Sequence, residues 1–529
     1  MKGLRGILPG LIVATLIGGA LRLAQLGVVP VALYCDESFS GYEAWCLLHT
    51  AKDSRGVLLP LFFDIFGMGW GEPLYIYLTA LAEALFGLTP FSARFVAAMA
   101  GTLAIPSTGL MTAALVREPM GEARAARAGA AAAFLMAISP WAFHLSRVAF
   151  QASLLPLMLA AGFWLAARAL SESRPPRPGL LAGAAFLLGL SLYTYTVARL
   201  AMPLLLAGFF WTHRRRLRHL ERPARRLVPA ALILAALAAP IVIFSFTPQG
   251  RQRFGDVSIF SIKDPAARSA TALASLAASN YLSYFSPRFL LTEGDSNLRH
   301  SIRGHGMLHP HDLLLLGIGA AVCLAVRSRG SLFALWWLAT YPMAAALTIE
   351  PRHAVRSICG LPGLYAIAGV GASILWSATT ASAARPRRVL ARTLAALMIV
   401  LSAIPVLGYF KDYFVEYPVY SGPAWQYGLK QAYEFVEEHR GDHDSVFVTR
   451  YEDHPSSQLL FYRAIPPRDY QQKRFWGTGY QFGKERWQPG PGQMRPIFIW
   501  KPLEVPASGI EIRHVVKYPD GTDAFVIAW

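Results

Sequence analysis

The chain has 529 residues, of which 54% are hydrophobic and only 16% are charged, and its formal net charge is +18. Soluble domains carry about 25% charged residues, so this composition excludes an ordinary soluble protein and indicates a polytopic α-helical membrane protein. The positive charge lies in short gaps between apolar stretches. That distribution is typical of a topology signal and argues against a nucleic-acid partner.

The first predicted element is an apolar helix over residues 7–31, preceded by Lys2 and Arg5. Basic residues favour the cytoplasmic side, so the helix begins inside and ends outside. It is too long for a signal-peptide core and lacks a clear cleavage site, so we interpret it as a retained anchor. Asp36 and Glu37 follow it directly and are therefore expected at the outer face, where carboxylates close to lipid tend to be functional.

Basic gaps then place the remaining spans. The strongest is "HRRRLRHLERPARR" at 213–226, and with all the gaps inside the sequence predicts about eleven transmembrane helices. They cover residues 7–31, 91–115, 128–144, 152–170, 179–197, 199–212, 227–246, 312–326, 331–349, 357–378 and 393–410. The segment "EPLYIYLTALAEALFG" at 72–87 is predicted to lie in the outer leaflet, because it is short, acidic and begins beside a proline.

Three regions are predicted on the outer side. The first loop covers residues 32–90, and the second, 247–311, is long enough to carry helices of its own, for example over 264–281. Residues 411–529 follow the membrane domain, 1–410, and are predicted to form a small extracytoplasmic α/β domain. In it "AWQYGLKQAYEFVEEH" predicts an amphipathic helix, and "DSVFVTR" and "AFVIAW" predict strands.

The adjacent acids Asp36 and Glu37 have two interpretations. A carboxylate near a low-dielectric boundary can be tuned to act as a general base. Alternatively, Asp36 caps the helix that begins here and Glu37 interacts favourably with its dipole. Nearby Tyr34 and Tyr42 suit sugar stacking or an interfacial aromatic belt. Tyr193 and Tyr195, at the outer end of a span, suit substrate contact or core packing equally.

Arginines on the outer side are the candidate phosphate ligands. Arg94, Arg147, Arg199, Arg299, Arg352 and Arg356 fall there in the predicted topology. The guanidinium fork matches phosphate oxygens, so several at one interface would hold an anionic group. Contact with lipid headgroups is the alternative for any one of them.

Histidines in "LRHSIRGHGMLHPHD" lie close to Asp295 and Asp312. Imidazole and carboxylate groups bind Zn or Mn, but the spacing fits no strong template, so a divalent metal is left open. The four cysteines, Cys35, Cys46, Cys323 and Cys359, have no metal-binding spacing. Cys35 and Cys46 are either a disulfide pair or two free thiols.

A series of motifs resembles a known family. The acid pair after the first span, "GEPLYIYL", "ARFVAAMAGTLA", "SPWAFHLSRVAFQASLLPLMLAAGFWL" and "LSLYTYTVARLAMPLL" resemble the GT-C membrane glycosyltransferases. The branch is that of protein O-mannosyltransferases and aminoarabinose transferases. "FLLTEGDSNLRHSIRGHGML" and "EPRHAVRSICGLPGLYAIAG" resemble a bacterial subgroup of it, and the resemblance covers about residues 1–410.

The resemblance implies an enzyme that uses a polyprenyl-phosphate-linked sugar at the outer face. It makes Asp36 the base toward the acceptor hydroxyl, with Glu37 beside it. Glu72 matches the acidic position before the interfacial proline, where this chain lacks the family's frequent Lys-Pro-Pro or His-Pro-Pro. Arg352, His353 and Arg356 match the basic region that holds the lipid phosphate.

The sequence therefore predicts an inverting transfer in which outer arginines stabilise the leaving phosphate. Asn297, Arg299 and His300, with the tyrosines above, are the expected contacts of sugar or acceptor, which is a glycan, lipid or protein. The expected location is the bacterial inner membrane, with the N-terminus cytoplasmic. The alternatives are a lipid or glycan transporter and a non-catalytic membrane scaffold, and a scaffold would tolerate alanine at Asp36 and Glu37.

Overall fold

The computed structural model describes residues 2–67, 69–171, 177–219, 223–264, 268–380, 385–482, 496–507 and 510–529. The described part of the chain is mostly helical. Its α-helices are α1 Lys2–Leu23, α2 Cys35–Thr50, α3 Leu74–Phe86, α4 Pro90–Met120, α5 Glu122–Ile138, α6 Pro140–Leu145, α7 Leu155–Ala169, α8 Pro178–Ser191, α9 Ala198–Arg218, α10 Pro223–Ser245, α11 Pro248–Val257, α12 Ala270–Ser283, α13 Pro310–Val326, α14 Arg329–Thr340, α15 Met343–Ala346, α16 Leu361–Thr380, α17 Arg385–Lys411, α18 Tyr417–Tyr420, α19 Leu429–His439, α20 Pro455–Tyr462 and α21 Pro467–Lys473.

The long helices make this a polytopic helical membrane protein. Within the described ranges, six helices are long and apolar enough to cross a membrane, as judged by length and composition alone. They are Gly6–Leu23, Pro90–Met120, Gln151–Ala169, Pro223–Ser245, Ile358–Thr379 and Ala395–Tyr420. Every one of the eleven predicted spans overlaps at least one helix. The number of crossings itself stays a prediction.

Several helix boundaries differ from those predicted. Helix α1 ends at Leu23 rather than near residue 31. The guanidinium of Arg147 donates hydrogen bonds to the carbonyls of Leu21 and Arg22, which have no partner within the helix at its end. The span predicted over 128–144 is divided at Ser139 into α5 and α6. Ser139 caps α6 by accepting a hydrogen bond from the amide of Ala142.

The first loop between α1 and α4 contains α2, α3 and a two-stranded hairpin of β1 Phe63–Asp64 and β2 Trp70–Gly71. The second long loop contains α11 and α12, so the helix predicted over 264–281 is present as Ala270–Ser283. Helix α2 packs against α3, α4, α20 and α21. It is therefore held from both the membrane helices and the C-terminal region.

The C-terminal region contains a five-stranded mixed sheet. Its strands are β3 Ser445–Val448, β4 Tyr480–Phe482, β5 Pro496–Trp500, β6 Ile512–Lys517 and β7 Asp523–Ala528, in the order β4-β3-β5-β7-β6. Strand β3 is parallel to β4 and β5, whereas β7 is antiparallel to β5 and β6. Leu429, Tyr433 and Val436 of α19 pack onto this sheet. The helix is shorter than predicted and begins at Leu429, because Gly422–Trp425 forms a separate turn and Gln426 is left-handed.

Candidate functional site

Helix α2 begins at Cys35 and places the two predicted catalytic acids in its first turn. Asp36 lies on the exposed side, with the Cys35 thiol 3.8 Å from its Oδ1. Glu37 is fully buried, and its Oε2 accepts a hydrogen bond of 3.1 Å from the amide of Tyr34. A carboxylate at this position caps the helix and interacts favourably with its dipole.

Glu37 forms a buried two-pronged ion pair with Arg94 of α4. Arg94 Nε and Nη2 each lie 2.9 Å from one carboxylate oxygen, and the amide of Ala149 donates a further bond of 2.8 Å to Oε1. With the amide of Tyr34, each oxygen accepts two hydrogen bonds, which uses both of its lone pairs. This arrangement differs from the catalytic role predicted for Glu37, because all four acceptor positions are occupied.

Arg94 and Arg147 are also buried, and their contacts are with the protein. Arg94 donates to the carbonyls of Pro30 at 2.8 Å and Ala32 at 2.6 Å, in addition to Glu37. Arg147 donates to the carbonyl of Val29 at 2.8 Å and to the Tyr413 hydroxyl at 3.1 Å, besides the end of α1. Both side chains are thus surrounded by protein acceptors in the structure, and the phosphate binding predicted for them stays a prediction.

Beside Asp36, Tyr34 lies between a cation and a carboxylate. The Arg299 guanidinium carbon is 3.7 Å from the centre of the Tyr34 ring, a cation–π contact. The Tyr34 hydroxyl donates a bond of 3.0 Å to Asp453, which is exposed and comes from the C-terminal region. The structure thus brings the predicted residues Tyr34 and Arg299 together next to Asp36, and adds Asp453.

Asp295, His300 and His353 form a second cluster next to Arg299. Each offers one ligand atom, and these atoms lie within 4.8 Å of one another. A ring nitrogen of His300 lies 2.8 Å from Asp295 Oδ2, which also accepts from the amide of Ala354 at 2.7 Å. Burial alone would raise the pKa of Asp295, but the neighbouring His300 lowers it to about 2. One carboxylate with two imidazoles is a donor set that suits Zn or Mn.

Asn297 shapes the loop that carries this cluster. Its amide donates to Asp295 Oδ1 at 2.9 Å, and its side-chain oxygen accepts from the amide of Arg299 at 3.0 Å. The His144 ring bonds the Arg299 carbonyl at 3.0 Å. The Asn297 side-chain oxygen therefore helps to fix the backbone between Asp295 and Arg299, and its predicted contact with sugar or acceptor stays a prediction.

The late basic residues form ion pairs with exposed carboxylates. Arg352 Nη1 lies 3.1 Å from Glu293, whose side chain is 50% exposed. Arg356 donates to Glu350 at 2.9 Å, and that glutamate is 67% exposed. The two pairs differ in burial, because the Arg352 side chain is 30% exposed whereas that of Arg356 is 10% exposed and also donates to the Thr348 hydroxyl.

The remaining predicted residues lie in α2, in α9 and in the segments that precede α3 and α9. Glu72 is buried and accepts from Arg199 at 3.0 Å and from Thr196 at 2.9 Å. The Tyr42 hydroxyl donates to the carbonyl of Ile465, and that of Tyr193 to the carbonyl of Leu237. Tyr195 packs against the hydrophobic core. These contacts fit the packing alternative for Tyr193 and Tyr195, and the Tyr42 hydroxyl likewise has a protein acceptor.

Sequence reasoning missed the residues that the C-terminal region contributes, above all Asp453 and Gln426. Gln426 Oε1 accepts from the amide of Cys35 at 3.0 Å, directly at the start of α2. Both residues lie about four hundred positions from α2 in the chain, and neither has a spacing that marks it. The four cysteines are buried and unpaired in the structure, which corresponds to the free-thiol alternative for Cys35 and Cys46.

Comparisons with known proteins agree with this architecture. Residues 71–244 match the family model for dolichyl-phosphate-mannose-protein mannosyltransferases. The structure is similar to ArnT from Cupriavidus metallidurans in the apo state, with a TM-score of 0.53 and 14% identity over 98% of this chain and 97% of that one. It is equally similar to the same protein bound to undecaprenyl phosphate, with a TM-score of 0.54 and 13% identity. No curated protein matches the sequence.

The structure is also similar to the Archaeoglobus fulgidus oligosaccharyltransferase in complex with Zn and sulfate. The TM-score is 0.54 and the identity 16%, over 86% of this chain. This chain spans only 61% of the length of that oligosaccharyltransferase chain. Together the family match and the shared fold confirm the predicted resemblance to the GT-C superfamily of membrane glycosyltransferases, in the protein mannosyltransferase and ArnT-like branch.

Proposed function

We propose that this GT-C chain transfers a sugar from a polyprenyl-phosphate-linked donor to an acceptor at the outer face of the membrane. The reaction is a hexosyl or pentosyl transfer with inversion. Asp36 removes the proton of the acceptor hydroxyl as that oxygen attacks the anomeric carbon. Polyprenyl phosphate leaves in the same displacement, so no covalent sugar intermediate forms.

The observation that carries this proposal is the contrast between Asp36 and Glu37. Asp36 is exposed at the first turn of α2, whereas the neighbouring Glu37 has four hydrogen bonds and no access to solvent. Only Asp36 of the pair is placed to receive a proton from a substrate. Glu37 and Arg94 are positioning residues, because their ion pair holds α2 against α4 and so fixes the direction of Asp36.

The basic residues of segment 352–356 support a site for the leaving phosphate. Arg352 and Arg356 lie on one short segment with His353, whose ring centre is 4.6 Å from that of His300. Their carboxylate partners Glu293 and Glu350 are exposed, so phosphate oxygens can approach both guanidinium groups from the same side as these carboxylates. Positioned cations of this kind stabilise the charge that develops on a leaving phosphate.

We further propose that Asp295, His300 and His353 bind a divalent cation. Ligand atoms on a tetrahedral zinc with bonds of about 2.0–2.2 Å lie about 3.3–3.6 Å apart, so side-chain rotations that draw the three ligand atoms together from their present limit of 4.8 Å complete the site. When bound, the cation supplies an additional positive charge near Arg299. A cation site is testable by metal analysis of purified wild-type protein and of a His300→Ala/His353→Ala variant, in which bound Zn or Mn should fall to background.

The proposed topology has eleven spans, a cytoplasmic N-terminus and an extracytoplasmic C-terminal α/β domain, in a bacterial inner membrane. The basic gaps at the predicted inner ends support it. Two of them, 168–177 and 213–226, include residues 172–176 and 220–222, which lie outside the described residues. In this topology α2, the 295–300 loop and the sheet all face the compartment where the lipid-linked donor is used.

The test is a transfer assay that compares wild type with Asp36→Asn. Purified protein in membranes is supplied with radiolabelled polyprenyl-phosphate sugars, and a native membrane extract provides the acceptor. Wild type should release label from one donor class, and Asp36→Asn should lose at least about a hundredfold in rate, as expected for loss of a general base. Asp442→Asn, an exposed acid of the C-terminal region, is the matched control and should keep full activity.

Two outcomes would contradict the proposal. Full transfer by folded Asp36→Asn protein would remove the base assignment. An absence of turnover with every donor, from wild-type protein that is shown to be folded, would favour a scaffold or transporter instead.

A further inference from the structure

The C-terminal region forms buried hydrogen bonds with the backbone that leads into α2. Gln426 Oε1 accepts from the amide of Cys35, and Gln458 Nε2 donates to the carbonyl of Leu33 at 2.9 Å. Ser457 donates to the carbonyl of Cys35 at 3.2 Å. All three side chains are at most 2% exposed. The start of the helix that carries Asp36 is thus built jointly by the first loop and the C-terminal region.

The same region places Asp453 at the opening of the site. Its carboxylate accepts a hydrogen bond from the Tyr34 hydroxyl, and its main-chain carbonyl accepts one of 2.6 Å from Gln426 Nε2. The next residue, His454, has a φ of +42°, and its ring stacks on Phe66 of the first loop at 4.1 Å. Non-glycine residues with a left-handed backbone are uncommon, and they cluster at ligand-binding sites. The turn is therefore fixed from both sides, with Asp453 kept at the surface.

Tyr34 connects Asp453, Arg299 and the proposed base. Arg299 covers its ring and also donates to the carbonyl of Ala424 at 3.3 Å. Asp36 lies two residues further along the chain, in the first turn of the helix that Tyr34 precedes. Asp36 and Asp453 are both exposed, so the opening presents two carboxylates and one guanidinium. Two acceptor groups suit a ligand that offers several hydrogen-bond donors.

From this geometry we infer that Asp453 is an acceptor-binding residue of the Asp36 site, and that the acceptor is a carbohydrate. One hydroxyl of the acceptor sugar faces Asp36 and reacts, while a neighbouring hydroxyl donates to Asp453. Arg299 donates to a ring or hydroxyl oxygen of the same sugar. This inference rests on the proposed function, and it makes the C-terminal region part of the substrate site rather than an appended module.

The experiment uses full-length Asp453→Asn in the transfer assay, with the native membrane extract diluted serially. The extract concentration that gives half-maximal rate should rise at least about tenfold, because an amide keeps the shape but weakens acceptance from a hydroxyl. The maximal rate should stay within about threefold of wild type, and the KM for the donor should not change. Asp442→Asn again serves as the matched control.

Tyr34→Phe separates substrate binding from a structural role. It removes the hydroxyl that bonds Asp453 but leaves the carboxylate, so its effect on acceptor affinity should be smaller than that of Asp453→Asn. Equal effects of the two variants, or an Asp453→Asn variant that matches Asp442→Asn, would overturn the inference. If Asp453→Asn fails to fold, Asp453→Ser takes its place under the same criteria.

The outcomes for the two proposals are distinguishable. Loss of transfer in Asp36→Asn together with unchanged acceptor affinity in Asp453→Asn would leave the function in place and refute only the role of Asp453. Competition adds a second readout: free monosaccharides at high concentration should inhibit wild type and inhibit Asp453→Asn at least about tenfold less. Inhibition that is equal in both proteins would also count against a carbohydrate contact at Asp453.

Discussion

At the first turn of α2 two adjacent carboxylates have opposite surroundings. Helical geometry turns successive side chains by about 100°, so neighbours in the chain face different environments. Glu37 points into the protein toward Arg94, and Asp36 remains at the surface. The buried ion pair is an element of the fold, and the exposed acid is the candidate for chemistry. A sequence motif that shows only two acids cannot separate these roles.

The buried pair gives a first prediction. Glu37→Gln leaves the Arg94 charge buried without its partner, and breaking such a pair costs about 3–5 kcal/mol. We expect a large fall in thermal stability in detergent, measured by unfolding, and a loss of activity that follows the loss of folded protein. Glu438→Gln, an exposed glutamate of α19, is the control and should unfold like wild type. A Glu37→Gln protein with wild-type stability would show that the ion pair is not structural.

The third acid of α2, Glu43, gives a pH-dependent prediction. Burial raises the pKa of Glu43 to about 7, although hydrogen bonds from Ser54 oppose the shift. In the unfolded chain a glutamate titrates near pH 4.3, so between about pH 4.5 and 7 the folded state binds the extra proton and stability falls as pH rises. Above pH 7 both states are deprotonated and this contribution no longer changes.

Glu43→Gln should remove that dependence. Unfolding temperatures measured at pH 5, 6, 7 and 8 should show the variant gaining relative to wild type up to about pH 7 and then holding a constant difference. Glu438→Gln should follow wild type at every pH. Parallel curves for wild type and Glu43→Gln would mean that Glu43 is ionised throughout this range.

The residue scale also shows where sequence reasoning ends. The acid pair and the basic segment 352–356 could be identified because their types are unusual at an outer membrane face. The partners of these residues could not be identified from the sequence, since Glu37 and Arg94 are 57 positions apart and contact each other only in the folded chain. The sequence places Arg94 and Arg147 on the outer side of the membrane and so predicts them as phosphate ligands. Their bonds to main-chain carbonyls depend on how α1 ends, which no spacing reveals.

At the scale of elements, the contact between α2 and α20 couples the candidate base to the C-terminal region. Gly41 of α2 faces Phe461 of α20, and a Cβ on Gly41 would lie 2.5 Å from the Phe461 ring. The helices therefore approach as closely as a glycine allows. Tyr42 and Leu460 extend the same apolar contact.

Gly41→Ala is expected to push α2 and α20 apart. Overpacking of this kind costs about 1–3 kcal/mol, so thermal stability should fall, and transfer should fall further because Asp36 moves with α2. Gly41→Ala/Phe461→Leu should recover part of both losses, since the smaller side chain makes room for the methyl group. Gly408→Ala in α17, where an added Cβ meets nothing within 4 Å, is the control and should be neutral or slightly stabilising. Failure of the double variant to recover either property would exclude the steric explanation.

Element types were predicted better than element ends. Apolar runs long enough to cross a bilayer mark helices without further information, and all eleven predicted runs overlap helices. Ends depend on tertiary contacts: Arg147 satisfies the end of α1, and Gln426 binds the start of α2 instead of extending α19. The strands β3 and β7 lie where the segments "DSVFVTR" and "AFVIAW" predict strands, but their sheet order depends on chain crossovers that the sequence does not specify.

At the scale of the whole molecule, the contacts between the first loop and the C-terminal region constrain the topology. Gln471 bonds Thr50, and Arg474 donates to the carbonyl of Ser54 at 2.9 Å, in addition to the bonds around Tyr34. Regions in contact lie on one side of the membrane, so the chain crosses an even number of times between them. Of the eleven predicted spans, only the first precedes the first loop, so ten crossings separate this loop from the C-terminal region, and ten is an even number. A crossing by α3 as well would make the number odd, so these contacts support an α3 that lies in the outer leaflet.

Topology is testable with an impermeant maleimide on intact cells. The four native cysteines are buried and should react slowly, so single added cysteines report their own side. Asp442→Cys, near β3, should be labelled from outside, because the C-terminal region is predicted there. Arg218→Cys, at the exposed end of α9 in the strongest basic gap, should be labelled only after the membrane is permeabilised. Labelling of both positions from outside would mean that the basic gaps do not mark the cytoplasmic side, and protection of Asp442→Cys would place the candidate base on the inner face together with the sheet that contacts it.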